Sequence, residues 1–173
     1  KEKEKEYKNN KFSLHVTHNK THDTYLVKIK EPNNKYLDWL WNRLQFKIID
    51  ISIALRIFPN VKEQTEAVAA LYAVENMINL KESTVIVVAD GSTPRCGGLL
   101  AHYAKEVISI DPQMKTEYVN NKLMENISCY SSTIEDWLDE RKELRINNPV
   151  VVVAVHAHVM FQNYLENLIH IIN

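Results

Sequence analysis

Two stretches hold the residues best suited to chemistry, VVADGSTPRCGG at 87–98 and AVHAHV at 154–159. The first contains Gly91, Gly97 and Gly98, the only glycines of the chain, where roughly four times as many are expected at the usual frequency of about 7 %. Glycine permits backbone angles that other residues resist, and it lets a ligand approach the chain with no side chain in the way. Gly91 is expected to make a turn, and Gly97 and Gly98 to allow close approach as a helix begins; a tight turn that binds nothing is the plain alternative. Asp90 narrows the ligand class, because a carboxylate there repels a pyrophosphate and suits a cationic amine. A triphosphate loop needs lysine and a hydroxyl after its last glycine, and Leu99 and Leu100 stand there instead. Arg95 offers a guanidinium that matches a carboxylate or a phosphate, or simply a surface ion pair. A helix N-terminus favours the thiolate of Cys96, but no phosphatase-like Cys-x5-Arg follows, since residue 102 is His.

His156 and His158 stand two residues apart. On an extended segment such residues point the same way, so both imidazoles can reach one cleft, as a proton acceptor or as substrate hydrogen-bonding groups. A metal pair lacks a third ligand of readable spacing, and two buried, hydrogen-bonded histidines remain an alternative. His15, His18 and His22 fall on or beside a polar turn that explains them without a metal.

The elements that must position these residues are legible from periodicity. KEKEKEYKNN, residues 1–10, reads as a charged tail without an apolar face. KFSLHVT and TYLVKIK alternate with period two and predict a short N-terminal hairpin over 11–35. Residues 36–58 carry apolar positions at three- and four-residue steps, hence one or two helices, and Asn60 followed by Glu63 has capping-box spacing for a helix running to about Asn79. STVIVVAD is then a continuous β-branched run, the mark of a strand buried on both faces. Helix LLAHYAK, strand EVISIDP, a helix-competent KTEYVNNKLME, strand NISCY, helix SSTIEDWLDERKELR, strand NPVVVVAVHAH and helix MFQNYLENLIHII follow. This alternation predicts an α/β domain over 36–173, a Rossmann-like, mostly parallel sheet with helices on both faces.

Composition limits the function classes. The 173 residues carry 21 basic and 22 acidic side chains, so no basic footprint for nucleic acid or anionic lipid stands out. No apolar run reaches the roughly 18 residues a membrane span requires. Two cysteines make no disulfide framework and no zinc-ligand spacing; the expectation is a soluble protein of a reducing, cytoplasmic compartment.

With the acidic residue and glycines after its first long β-branched strand, the domain resembles the class I S-adenosylmethionine-dependent methyltransferases over about 60–173. In that family the first loop holds the methionine moiety of the cofactor, which would assign Asp90, Gly91, Arg95 and Gly97 to it. A second acidic residue at the end of the next strand binds the ribose hydroxyls there, and Asp111 stands 21 residues after Asp90; its two oxygens can accept both hydroxyl protons. A turn residue before Pro112 is the other reading of Asp111. The resemblance places Glu135 or Asp136 near the adenine, although Ser132 and Glu135 also have capping-box spacing. It turns His156 and His158 toward the methyl group and its acceptor.

Two departures stand out, the insertion of Pro94 and Arg95 into the loop and the absence of the Asn-Pro-Pro-Tyr type of motif used for amino-group methylation. The family sheet continues beyond strand four, so a fragment, or an edge covered by the N-terminal hairpin, by a partner protein or by self-association, is expected. The resemblance thus implies S-adenosylmethionine as cofactor and an unidentified methyl acceptor, with a catalytically inactive binding or scaffolding module as the alternative and a metal-dependent hydrolase as a distant third.

Overall fold

The computed structural model describes residues 3–9, 12–19, 24–29, 57–59, 61–155 and 157–172. Residues 36–56 of the helices expected over 36–58, the Asn60 cap and His156 lie outside the described residues. At the N-terminus Lys3–Asn9 (β1), Phe12–Asn19 (β2) and Thr24–Ile29 (β3) pair antiparallel in that order, with Val16 opposite both Lys5 and Val27.

The site is positioned by a second sheet. Its strands are Thr84–Val88 (β4), Glu106–Ile110 (β5), Ile127–Tyr130 (β6) and Val150–Val153 (β7). All pairings are parallel, and the order is β6-β5-β4-β7. The chain thus builds outward from β4 through β5 to β6, then crosses back to lay β7 on the opposite side of β4. Parallel neighbours need a crossover, and the helices supply it: Val61–Glu75 (α1) leads into the sheet, Arg95–Leu100 (α2), Thr116–Asn120 (α3) and Ile134–Asp139 (α4) connect its strands, and Gln162–Ile171 (α5) follows it.

Side-chain alternation along the strands explains the layering. Val85, Val87 and Val107 point to one face, where they pack with Ala67, Val68 and Leu71 of α1 and Leu99 and Leu100 of α2. Ile86, Val88, Ile108 and Ile110 point to the other, against Ile134, Trp137 and Leu138 of α4 and Tyr164, Leu168 and Ile171 of α5. A sheet covered on both faces is why VIVV and VISI read as unbroken apolar runs. Each such side chain taken from water contributes about 1.5–3 kcal/mol. A parallel bridge between Ile146 and Ile172 ties the end of α5 to the segment before β7. The expected α/β class, with a Rossmann-like parallel sheet and helices on both faces, is therefore present.

Three boundaries differ from expectation. The helix after β4 starts at Arg95 rather than Leu99, so Gly97 and Gly98 lie inside α2. The strand expected through His158 stops at Val153. Its ladder partner explains the stop: Val87 pairs with Val153, and β4 then breaks at Ala89, whose φ of 58° is left-handed. The helix around Trp137 is capped by Thr133, whose side chain accepts the Asp136 N–H at 3.1 Å, while Ser132 donates to the Thr133 carbonyl.

Candidate functional site

In open α/β sheets a ligand crevice forms at the carboxyl ends of the strands where the winding reverses. Here that place lies between β4 and β7, so residues 89–95 after β4 and 154–155 after β7 flank it. Asp90 and Asp111 end neighbouring strands, and the structure brings their loops together.

Asp90 is buried, and both oxygens of its carboxylate are engaged within the protein. Oδ1 accepts the Cys96 N–H at 2.8 Å; Oδ2 accepts the Gly97 N–H at 2.9 Å and the Ser109 hydroxyl at 2.7 Å. Cys96 and Gly97 are the second and third residues of α2, whose N-cap Pro94 offers no side-chain oxygen. Asp90 thus replaces the missing cap from four residues upstream, satisfying two amides that the helix itself leaves unpaired. Burial pushes its carboxyl up from the ordinary 3.8 to about 6, against the opposing pull of Ser109, the two amides and the nearby Arg95 charge. The amine-binding role expected of Asp90 would have to displace this internal network.

Gly91 and Gly97 answer to separate demands. Gly91 has a φ of 94°, and a Cβ there would lie 2.8 Å from Cζ of Arg95. Gly97 has ordinary helical geometry, but its Cβ would sit 2.8 Å from Asp90 Oδ2 and 3.0 Å from Ser109 Cβ. The close approach that glycine allows at 97 is therefore between helix and sheet.

Arg95 reaches across Gly91 to Glu63 of α1, and the two form an ion pair. Both side chains are mostly buried, 19 % and 16 % exposed. Arg95 Nε is buried and meets no hydrogen-bond partner among the described residues. Asp111 closes the other side of the turn, its Oδ2 accepting the Gly91 N–H at 2.8 Å and its Oδ1 the Gln113 N–H at 2.7 Å. A carboxylate offers about four lone-pair positions, so two backbone donors leave Asp111 able to accept two more. Thr93 adds a buried tether, donating to the Ile57 carbonyl at 2.6 Å.

Glu63, Glu66, Ala89, Asp90, Arg95 and Val155 enclose a crevice between α1 and the ends of β4 and β7. Its interior holds about 10 Å³, at the roughly 10–15 Å³ that one water molecule needs. Beyond β6, Ser131, Ser132, Asp136, Asp139 and Glu140 line a shallow open depression. Asp136 there accepts the Thr133 hydroxyl at 2.8 Å, so the capping partner is Asp136 and not Glu135. Glu135 instead lies near the buried Tyr164, whose hydroxyl is raised by burial and then by the Glu135 charge.

His158 is exposed. It lies beyond the end of β7 at Val153, and the alignment expected with His156 falls outside the described residues. Cys96 is not poised as a nucleophile. Burial, then the negative charge of Asp90, pushes its thiol well above the usual range, which disfavours the nucleophilic thiolate. Among the described residues no three His, Cys, Asp or Glu side chains converge as metal ligands would, and no helix is long and apolar enough to cross a membrane.

Sequence reasoning missed Ser109 and Glu63. Ser109 had a readable signal, a fully buried hydroxyl in the middle of the apolar strand EVISI. Glu63 was read only as part of a cap; nothing local connects it with Arg95, 32 residues away. Comparison of the chain with protein-family models, with curated proteins and with solved structures gives no match.

Proposed function

We propose that the chain binds S-adenosylmethionine at the β4–β7 switch point and transfers its methyl group to an acceptor. One observation carries this reading: the Asp90–Gly91 turn at the reversal of strand order is hydrogen-bonded, through the Gly91 N–H, to Asp111 at the end of the adjacent strand. The acceptor capacity left on Asp111 suits a hydroxyl-bearing sugar, and the Asp90 charge beneath the glycine turn favours a cationic centre near it.

The fit can be tested against the donors and acceptors present. Asp111 keeps acceptor capacity for ribose hydroxyls. Arg95 has a guanidinium suited to the amino-acid carboxylate, including an Nε–H that nothing described satisfies. Asp136, on the rim beyond β6, has an exposed side chain that would accept from an adenine amino group, with Glu135 beside it. His158, with His156, belongs to the segment that would face the acceptor. The bound cofactor would supply an electrophilic methyl; the chain's own contribution is to align an acceptor with it, which is a proximity effect.

Calorimetric titration of the chain with S-adenosylmethionine and, in parallel, NAD tests the assignment. Saturable binding of the former, weakened by Asp111→Ala, supports it; a folded chain that gives heat only with NAD, or with neither, refutes it. A second reading, a methyltransferase-like module that binds without catalysis, is favoured by the narrowness of the crevice. Cofactor binding with no methyl transfer to supplied protein, nucleic-acid or small-molecule acceptors would support that reading.

A further inference from the structure

Arg95 occupies the place that makes Gly91 useful to a ligand. A glycine turn is open to an incoming group where a side chain would otherwise stand. At Gly91 that volume is filled from within the protein: a Cβ there would meet Arg95 Cζ at 2.8 Å and Nε at 3.0 Å. The arginine is held in this position by Glu63, which arrives on α1 from a distant part of the chain. We propose that the Glu63–Arg95 ion pair is an autoinhibitory latch over the Gly91 turn, opened when the carboxylate of a ligand replaces Glu63 on the guanidinium. The proposal rests on the reading of this turn as a ligand cradle.

The closed arrangement has a built-in deficiency. Both charges are largely withdrawn from water, and such a pair is well stabilised only when its remaining donors are also satisfied. They are not: the Glu63 contact is made through Nη1, while Nε is buried with no partner among the described residues. The Nε edge of the guanidinium is the one that lies over Gly91; once the arm swings off the turn and leaves Glu63, a ligand carboxylate can take Nε–H and Nη2–H together, the two-point geometry that guanidinium favours. The open, liganded state gains a hydrogen bond that the closed state lacks. This differential interaction is what a ligand needs to shift an equilibrium between two forms.

The latch also accounts for the crevice. Glu63 and Arg95 form part of its wall, and its interior is no larger than a water. Parting the pair frees that wall and breaks none of the Asp90 hydrogen bonds, because Asp90 is bound to the amides of Cys96 and Gly97 and to Ser109 rather than to the Arg95 side chain.

Glu63→Gln removes the charge that holds the latch and keeps the side-chain shape. Amide hydrogen exchange is followed in wild type and variant without ligand, and S-adenosylmethionine is then titrated into both. The latch predicts several-fold faster exchange at residues 91–95 in the variant, with residues 84–88 of the strand unchanged as the internal check on folding. Arg95→Met, which removes the arm from the other side, should give the same exchange pattern. If the closed form holds nine molecules in ten, Glu63→Gln binds the cofactor about tenfold more tightly. Unaltered exchange at 91–95 overturns the latch whatever the ligand does, and so does equal cofactor affinity in the two proteins. Faster exchange with no cofactor binding to either protein supports the closed pair but refutes S-adenosylmethionine as the ligand, so the two failures are distinguishable.

Discussion

Asp90→Asn gives the most direct view of how the glycine loop is held, because its effect must depend on pH. In the folded chain burial raises the Asp90 carboxyl from 3.8 to about 6. Between those values the native state binds more protons at this site than the unfolded state. Stability therefore falls as pH rises through that window. A difference from 3.8 to about 6 corresponds to about 3 kcal/mol, all of it felt by pH 7 and none of it at pH 3. Asparagine cannot ionise and so lacks this loss. It does carry a fixed penalty, since its NH2 cannot accept and one of the Cys96 and Gly97 amides loses its acceptor, at about 1–3 kcal/mol. That penalty is independent of pH. Urea unfolding of both proteins from pH 4 to 8 cancels the titration of every other group in the difference. The stability of Asp90→Asn relative to wild type should improve by roughly 2–3 kcal/mol between pH 4 and pH 7, most steeply near pH 5. A difference that stays flat within 1 kcal/mol, or worsens with pH, would falsify a buried, destabilising Asp90 charge.

Other substitutions probe the same loop and its surroundings. Gly97→Ala places a methyl 2.8 Å from Asp90 Oδ2 and 3.0 Å from Ser109 Cβ, both on short, anchored side chains. Thermal and urea unfolding should show a loss of about 1–3 kcal/mol, and an unchanged midpoint would mean that α2 and β5 can part at no cost. Thr133→Ala removes the oxygen that accepts the Asp136 amide and should cost about 1 kcal/mol, whereas Ser132→Ala, which removes only a hydroxyl donor, should cost less; the reverse ranking would move the cap back to Ser132. Cys96 and Cys129 are buried, with the Cys129 thiol pushed up to about 12 by burial and then by the Asp90 charge. An aromatic disulfide reagent at pH 8 should leave both unmodified in the native chain and titrate two thiols on unfolding. Rapid native labelling would contradict the packing of α2 on the sheet.

The strands were legible because the sheet is buried on both faces. VIVV, VISI and VVVV could be read without knowing their neighbours, and the left-over apolar residues of α1 and α5 then had two faces to cover. The beginning of α2 was not legible, for the physical reason that glycine weakens a helix locally. What overrides that weakness is the Asp90 carboxylate and the tight seat of Gly97 on Ser109, contacts that span 6 to 19 residues. The same limit hid the end of β7. A run of β-branched residues shows where a strand can form, but Val153 is last because β4 turns away at Ala89, and that left-handed alanine carries no sequence signal. Asp90 and Asp111 were found by type and spacing, and the structure brings Asp111 against the turn that follows Asp90. Their occupation by backbone amides, and the closure of Arg95 onto Glu63, arise from tertiary contacts that spacing could not reveal.

The direct test of the central claim is a titration of the isotopically labelled chain with S-adenosylmethionine, followed through its backbone amide resonances. Gly91 and Gln113 donate to the two Asp111 oxygens, so ribose hydroxyls arriving at that carboxylate must perturb both. The account predicts saturable shifts at both amides with a common dissociation constant, spreading to residues 89–95 but not to β1–β3. Resonances at 91 and 113 that stay fixed at millimolar cofactor, while the chain remains folded, would contradict it.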